Sequence, residues 1–440
     1  MTTIESISIK DILNTQYKEY SYYVLESRAI PSVIDGLKPV VRRGLWHGTK
    51  MAKDWVKVSK LAGATMATHP HGNTSIESAI SSCAQSFAGA NNICWFEGKG
   101  AFGSRITGPG NGIGAARYVS VKLSESFYII LDVDRDLITK VPNYDDTEQE
   151  PKHFLPLVPA VLLNPTQGIA VGYACNILPR KLSDIVHCQN QHLQGKGFRE
   201  PSPYYEGFKG TIEKTGDKIW LTTGVFERKS KKKIIITELP IGQTRESYIR
   251  VLDALEDRNV ITSFTDDCTD EFLFTINLKN EMTDDEIIEK FKLTSNLNEN
   301  INIIGFDGKI RSMTVTEIIK EFTDFRFSFY LKRFKKQFNE LKDQFEFERD
   351  LLKVIQKGLF KKFPDLKKDE IKQLLLDNDI QEKNLSRIIQ TPIYKFGKDE
   401  IEVLKKKLLD LKKNLENLVK LCKDENLRRN EYIKELKTIK

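Results

Sequence analysis

The order of apolar and polar positions divides the chain into three stretches of different character. In the first, Ile76, Ala79, Ile80, Cys83, Ala84 and Phe87 recur at helical spacing after the turn His69-Pro70-His71-Gly72. Shorter helices are predicted over 8–26, from Pro39, and near 57–67. Pro39 suits a first helical turn, where its missing N–H is not needed. Val40, Leu45 and Trp46 then face a core, while Arg42 and Arg43 project elsewhere. In the second stretch KIWLTTGVF and KKKIIITEL alternate like strands, with helices predicted near 245–257 and 283–292. In the third, Phe327, Leu331, Phe334, Phe338, Leu341 and Phe345 alternate steps of four and three. Ile401, Leu404, Leu408, Leu411, Leu415, Leu418 and Cys422 do the same, as in coiled-coil heptads.

Two helices of about 40 residues, each about 60 Å long at 1.5 Å per residue, predict an antiparallel hairpin. A compact tip falls at 360–397. Leu374, Leu375, Leu376 and Ile380 are expected inside it, with Ile393 and Tyr394 on its surface. The heptad falters at Glu425 and Arg429.

The face opposite Ile76 carries Thr74, Ser75, Ser78, Ser81, Ser82 and Ser86. Small hydroxyl residues with few charges suit a helix that meets a phosphate backbone by its N-terminus, though a plain serine-rich surface helix has the same pattern. Three short helices, one with a small polar face, suggest a helix-turn-helix or winged-helix unit. Residues 98–114 hold seven glycines and read as a flexible loop, with AARYVSVKL after it as a strand. The loop is not a P-loop, because no Gly-Lys-Ser/Thr follows at the required spacing.

Charge adds little by itself: 68 basic residues face 61 acidic ones, for a net charge of +7. Basic residues matter for nucleic acid only where they share a face. The six cysteines form no Cys-x-x-Cys pair, so neither a zinc site nor a redox motif is indicated. Scattered thiols suit a reducing compartment. No run approaches the roughly 20 apolar residues of a membrane span, and the N-terminus has no signal-peptide pattern. A cytoplasmic, nucleoid-associated location is expected.

Five blocks in order carry a family resemblance: SRAIPSVIDGLKPVVRRGLW, HPHGNTS, GKGAFGSR, AARY, and LPLVPAVLLNPTQGIAVGYACNILP. They resemble the breakage-reunion part of type IIA DNA topoisomerases over residues 28–180, and YEGFKGTIE and ITELPI extend the similarity more weakly. Phage members of the T-even type, in which this part is a short free-standing chain, are resembled in particular. Lys99 and Ala101 replace the usual Gln and Asn of the glycine loop, and Pro165 the usual Gly. Asn73 and Thr74 stand where Asp and Ser are usual in gyrase. The changes at Lys99 and Ala101 and at Asn73 and Thr74 put bacterial drug sensitivity in doubt.

The resemblance implies roles. Strand transfer needs an oxygen nucleophile that later leaves, and a phenol with a pKa of about 10 suits both steps. Tyr118 follows the glycine loop and an arginine, and AARY makes it the choice among 14 tyrosines. Read alone, it is a strand tyrosine packed under the loop. Arg117 would stabilise the five-coordinate transition state, its fork holding two phosphate oxygens. Arg28 would reach the same phosphate and His71 would hydrogen-bond it. His69, Lys38, Arg42, Arg43, Thr74 and Ser78 would hold the DNA backbone. Ile169 matches an isoleucine that wedges between base pairs, with a core position as its plain alternative.

The expected fold is α+β and multidomain. It comprises a helical arm over 1–27, a winged-helix DNA-gate domain over 28–150, an α/β tower over 151–318, and a coiled coil over 319–440 with an exit-gate tip. The expected function is that of the DNA-cleaving subunit of an ATP-dependent type II topoisomerase, making a transient double-strand break as a homodimer. No metal cluster or nucleotide motif is evident in the sequence. Mg²⁺ ligands and the ATP site are therefore expected on a Toprim and ATPase partner subunit. Because the chain ends at the return helix, a DNA-wrapping β-pinwheel is not expected, nor is negative supercoiling. A non-catalytic DNA-binding scaffold of the same fold is the alternative.

Overall fold

The computed structural model describes residues 8–439 and divides into two compact units, 1–326 with 436–440, and 327–435. In the first unit, α1 (Ile9–Ile12) and α2 (Lys18–Val24) belong to a helical arm that continues through π-type turns to Ala29. Three helices follow: α3 (Pro39–Met51), α4 (Val58–Thr65) and α5 (Asn73–Ser82). Pro39 opens α3 as expected. Glycines let α3 pack closely: a Cβ at Gly44 would lie 3.2 Å from Ile80, and one at Gly48 3.3 Å from Phe96.

A three-stranded antiparallel sheet lies beside these helices, built from β1 (Val56–Lys57), β2 (Phe96–Lys99) and β3 (Ser120–Leu123) in the order β1-β3-β2. The strand expected over AARYVSVKL is shorter than its pattern suggested. Residues 116–118 form a turn, and pairing starts only at Ser120. Two hairpins come next: β4 (Lys140–Pro142) with β5 (Gln149–Pro151), and β6 (Thr166–Ala170) with β7 (Tyr173–Ile177). Helix α6 (Leu182–Leu193) leads into the following sheets.

Those sheets use β8 (Thr211–Gly216), β9 (Ile219–Thr223), β10 (Val225–Ser230) and β11 (Lys233–Glu238). After α7 (Arg245–Asp257) come β12 (Ile261–Asp266) and β13 (Phe274–Leu278), then α8 (Asp284–Lys290) and β14 (Thr294–Asn298). The strand orders are β10-β11-β13-β12 and β14-β9-β8. KIWLTTGVF is therefore two strands broken at Gly224, where a Cβ would meet the Glu238 carbonyl at 2.4 Å. Alternate residues of β11 and β13 bury Ile234, Ile236, Phe274 and Ile276 against Tyr248 and Leu252 of α7. Burial of each such side chain contributes about 1.5–3 kcal/mol. Capping boxes, Thr244 with Ser247 and Thr283 with Glu286, start α7 and α8 near their expected positions. The hairpin β15 (Asn302–Ile304) and β16 (Ile310–Ser312) precedes α9 (Val315–Gln356), a helix of 42 residues.

The second unit takes most of α9. It returns through α10 (Lys368–Leu376) and α11 (Glu382–Ile389) to α12 (Lys398–Lys423) and α13 (Glu425–Thr438). The return helix breaks at Asp424, beside the residue where the heptad falters. Tyr330 packs on Tyr432 with ring centroids 4.8 Å apart, and Lys407 pairs with Glu348, so the two arms run antiparallel. Between them Leu351, Val354, Ile371, Leu375, Ile380 and Leu404 share one core. Two residues depart from the expected tip core: Leu374 is half-buried and outside the cluster, and Leu376 lies exposed. Ile393 and Tyr394 are exposed as expected, at 81% and 67%.

Candidate active site

Tyr118 ends the turn after the glycine loop, 69% exposed, while the next residue, Val119, is buried. A buried anchor beside an exposed phenol fixes the backbone and leaves the oxygen open. The Tyr118 amide donates to Ala115 O at 2.8 Å. Val58 N donates to Val119 O and Ser59 N to Ala116 O, so the start of α4 staples the turn in place. Lys57 Nζ adds a bond to Tyr118 O at 2.8 Å. The Arg117 guanidinium lies 5.0 Å from the Tyr118 ring centroid. Trp55, exposed on the same side of the fold as the sheet lysines, sits 5.4 Å from Lys122 Nζ and 5.9 Å from Lys99 Nζ. Two cations, Arg117 and Lys57, thus stand at the Tyr118 turn, while Lys122 is paired with Glu97.

The glycine loop is not the loose tether its composition suggested. Gln85, buried after α5, donates to Phe102 O at 2.8 Å and accepts from Gly110 N at 2.8 Å. Gly114 N donates to Ala101 O at 2.9 Å. Glycine is required where the loop crosses the turn: Gly100 has φ +117° and its Cβ would lie 3.0 Å from Val119.

A second group forms around His71. Arg28 donates to His71 Nδ1 at 3.1 Å, and Tyr23 Oη lies 2.9 Å from Nε2. The His69 and His71 rings meet edge to face at 4.7 Å. Arg43 reaches His69 Nδ1 at 2.8 Å and grips Glu150 with two bonds of 2.7 and 2.8 Å. Burial first, then Arg43, His71 and Arg28, hold the His69 pKa down to about 4. Burial, then Arg28 and Arg43, also lower that of His71. Arg28, His71, His69 and Arg43 are therefore brought together, with Tyr23 and Glu150 as partners that the sequence pattern did not reveal. Among the described residues no hydrogen bond or ring contact joins this group to Arg117 and Tyr118.

The expected backbone-holding residues divide. Thr74 and Ser78 are exposed on α5, whose first residues carry no side-chain cap; Ser81 of the same face is buried. Ile169 is 88% exposed at the end of the β6–β7 hairpin, which removes the core alternative. Arg42 is a correction. Its guanidinium is buried and spent on Asp35, at 2.6 and 2.8 Å, and on Leu37 O. Asp35, fully buried, also accepts from Phe154 N and Leu37 N, so the pair organises the loop before α3 and offers no charge to a ligand. Arg43 is likewise committed to Glu150 and His69. Lys38 donates to Gln167 O at 2.5 Å, and burial lowers its pKa.

The residues here do not fit a divalent cation. Among the described residues no group of three His, Cys, Asp or Glu side chains could hold a metal ion. No helix among them is long and apolar enough to cross a membrane.

Residues 28–437 match the family of DNA gyrase/topoisomerase IV A-type subunits. The chain is 31% identical over 354 residues to the DNA topoisomerase medium subunit of Enterobacteria phage T4, covering 77% of this chain and 78% of that one. It is 33% identical over 344 residues to DNA topoisomerase 2 of Arabidopsis thaliana, covering 74% of this chain but 23% of the relative. The chain thus spans about a quarter to a third of the length of the topoisomerase 2 relatives. The crystal structure of the Plasmodium falciparum topoisomerase II DNA-binding, cleavage and re-ligation domain superposes with a TM-score of 0.81 at 26% identity. That match covers 98% of this chain and 65% of the other. The chain belongs to the family of DNA gyrase/topoisomerase IV A-type subunits.

Proposed function

We propose that this chain is the DNA-cleaving subunit of an ATP-dependent type II DNA topoisomerase, with Tyr118 as its nucleophile. The observation that carries the reading is an exposed phenol on a stapled turn, with the Arg117 guanidinium 5.0 Å from its ring and Lys57 bonded to its carbonyl. The Tyr118 oxygen attacks a backbone phosphorus and gives up its proton. The P–O bond to the 3′ oxygen breaks, and that oxygen leaves as a protonated hydroxyl. The 5′ phosphate stays on the tyrosine, so the bond energy is kept and the reverse step reseals the strand. Arg117 holds the extra negative charge of the five-coordinate transition state. Arg28 and the Nε2–H of His71 supply further donors to a phosphate oxygen.

The α3–α5 triplet with the β1–β3–β2 sheet serves as a winged-helix DNA gate, with Thr74 and Ser78 on its backbone-facing side. Ile169, exposed at a hairpin end, wedges between base pairs and bends the duplex. The β8–β14 region serves as the tower. Two copies meet at the tip of the long hairpin, and each cuts one strand so that a second duplex passes, relaxing supercoils and separating linked DNA. Mg²⁺ and ATP are held by a Toprim and ATPase partner subunit, and the assembly works in the cytoplasm on nucleoid DNA.

Plasmid relaxation tests this reading. The chain alone, with Mg²⁺ and ATP, leaves supercoiled DNA unchanged. Adding the partner subunit starts relaxation and yields protein-linked DNA on detergent treatment. Relaxation by the chain alone would overturn the partner assignment, and no protein-linked DNA with the partner present would overturn the function.

A further inference from the structure

We propose that Arg105 is a positioning residue for Tyr118, setting the nucleophile by locking the glycine loop onto the segment Glu238–Gln243. The inference rests on the cleavage reading and adds to it a distant residue that governs where the phenol stands.

Arg105 lies inside the loop that precedes Tyr118, and its side chain turns away from that turn. Its Nη2 donates to Leu239 O at 2.7 Å and its Nη1 to Gln243 O at 2.9 Å. Glu238 pairs with it at 3.1 Å, and the Phe272 ring lies 4.8 Å beneath the guanidinium. Arg105 is 9% exposed and Glu238 3%. A charge this buried holds its geometry, because any displacement leaves a desolvated guanidinium without partners. The neighbours reinforce the lock. Arg245 N donates to Ile106 O at 2.9 Å, and Ile106 packs against the core under the four-stranded sheet. Gly108, at φ +79°, lies against Thr244, where a Cβ would meet Cγ2 at 2.7 Å.

The far end of the loop carries the position to the tyrosine. Gly100 and Gly114 both abut Val119, where their Cβ atoms would lie 3.0 and 2.9 Å from its side chain. Between Arg105 and Tyr118 the exposed stretch 109–112 is held by Gln85, which accepts from Gly110 N and donates to Asn111 O, and by Gly112, whose Cβ would lie 3.0 Å from Gly103. Three carbonyls aimed at one guanidinium suit the planar fork of arginine; a lysine ammonium cannot bond to all of them at once. Beside the guanidinium a cavity of 410 Å³, lined by Arg105, Glu238 and Phe272, has room for a small guanidinium ion.

The test uses Arg105→Ala and Arg105→Lys in the full chain. With the partner subunit present, Arg105→Ala should bind DNA as wild type does but form protein-linked DNA about a hundredfold more slowly, the size expected for a misplaced reactive group. Methylguanidinium should restore much of the rate in Arg105→Ala, and none in Tyr118→Phe. Arg105→Lys should fall between wild type and alanine. In the chain alone, hydrogen exchange of the amides of residues 115–119 should quicken in Arg105→Ala and slow again with methylguanidinium. Unchanged exchange there would overturn the inference whether or not the chain cleaves DNA. Wild-type adduct without loss in Arg105→Ala would also overturn it. No adduct in wild type, with the exchange effect intact, would sink the cleavage reading and leave the lock standing. If Arg105→Ala fails to fold, Glu238→Gln, which removes the charge partner alone, gives the adduct-rate and exchange readouts without the methylguanidinium arm.

Discussion

The Arg28 guanidinium donates to Nδ1 of His71 across 3.1 Å. A protonated imidazole has no acceptor at that atom, so His71 is held neutral with its proton on Nε2. That N–H meets the Tyr23 hydroxyl at 2.9 Å. Tyr23 thus takes the hydrogen bond that a phosphate oxygen takes in the proposed reaction. His71 is built here as a neutral donor, and burial, then Arg28 and Arg43, lower its pKa in the same direction.

His69 gives that logic a pH range. Its folded-state pKa of about 4 lies below the ordinary 6.5, so the unfolded chain takes up the proton first as pH falls. The stability that neutral His69 contributes is complete above about pH 6.5, declines between 6.5 and 4, and is lost below that range. One proton corresponds to a slope of about 1.4 kcal/mol per pH unit. Denaturant midpoints of wild type should therefore fall from pH 6.5 to 4 more steeply than those of His69→Asn, which has no imidazole to charge. Equal slopes would remove this account of the His69–Arg43 contact.

A buried ion pair sets the second prediction. Arg180 has no exposed surface, and Glu299 meets it at 2.8 and 2.7 Å, with Leu178 O and Pro201 O completing its bonds. Glu299→Ala should lower unfolding stability by about 3–5 kcal/mol, because it strands a desolvated guanidinium. The double change Arg180→Met with Glu299→Leu should cost far less. A Glu299→Ala loss under about 1 kcal/mol, the range of a surface pair, would contradict the burial.

Ile393 and Tyr394 bear on assembly. They are exposed, while Leu375 and Ile380 are buried in the tip core. Replacing both with serine should leave that core folded and weaken dimers of the isolated chain at least about tenfold, equivalent to about 1.4 kcal/mol. Sedimentation at micromolar concentration reads this directly. A dimer as tight as wild type would remove the tip from the interface.

Local pattern made some of this legible and missed the rest for physical reasons. The helices expected near 245–257 and 283–292 stand close to where α7 and α8 form, because helical periodicity is local. Leu404 and Leu411 stand out because heptads repeat. Tyr118 is identified by its block and not by chemistry visible from composition. Arg42 reads as a surface cation, since nothing local reveals that Asp35 is buried opposite it. The glycine loop reads as flexible because the carbonyls that hold Arg105 lie up to 138 positions away. Tyr23 is one tyrosine among several on the arm, and only the folded chain selects it.

The most direct test concerns one oxygen atom. Wild-type chain with its partner subunit should give a detergent-stable DNA adduct, and peptide mapping should find a 5′ phosphate on residue 118. Tyr118→Phe removes only an exposed hydroxyl, so it should fold and bind DNA like wild type and give no adduct. Arg117→Ala should give the adduct far more slowly on the same tyrosine. An adduct that persists in Tyr118→Phe, or maps to another residue in wild type, would contradict the assignment of Tyr118 as the nucleophile.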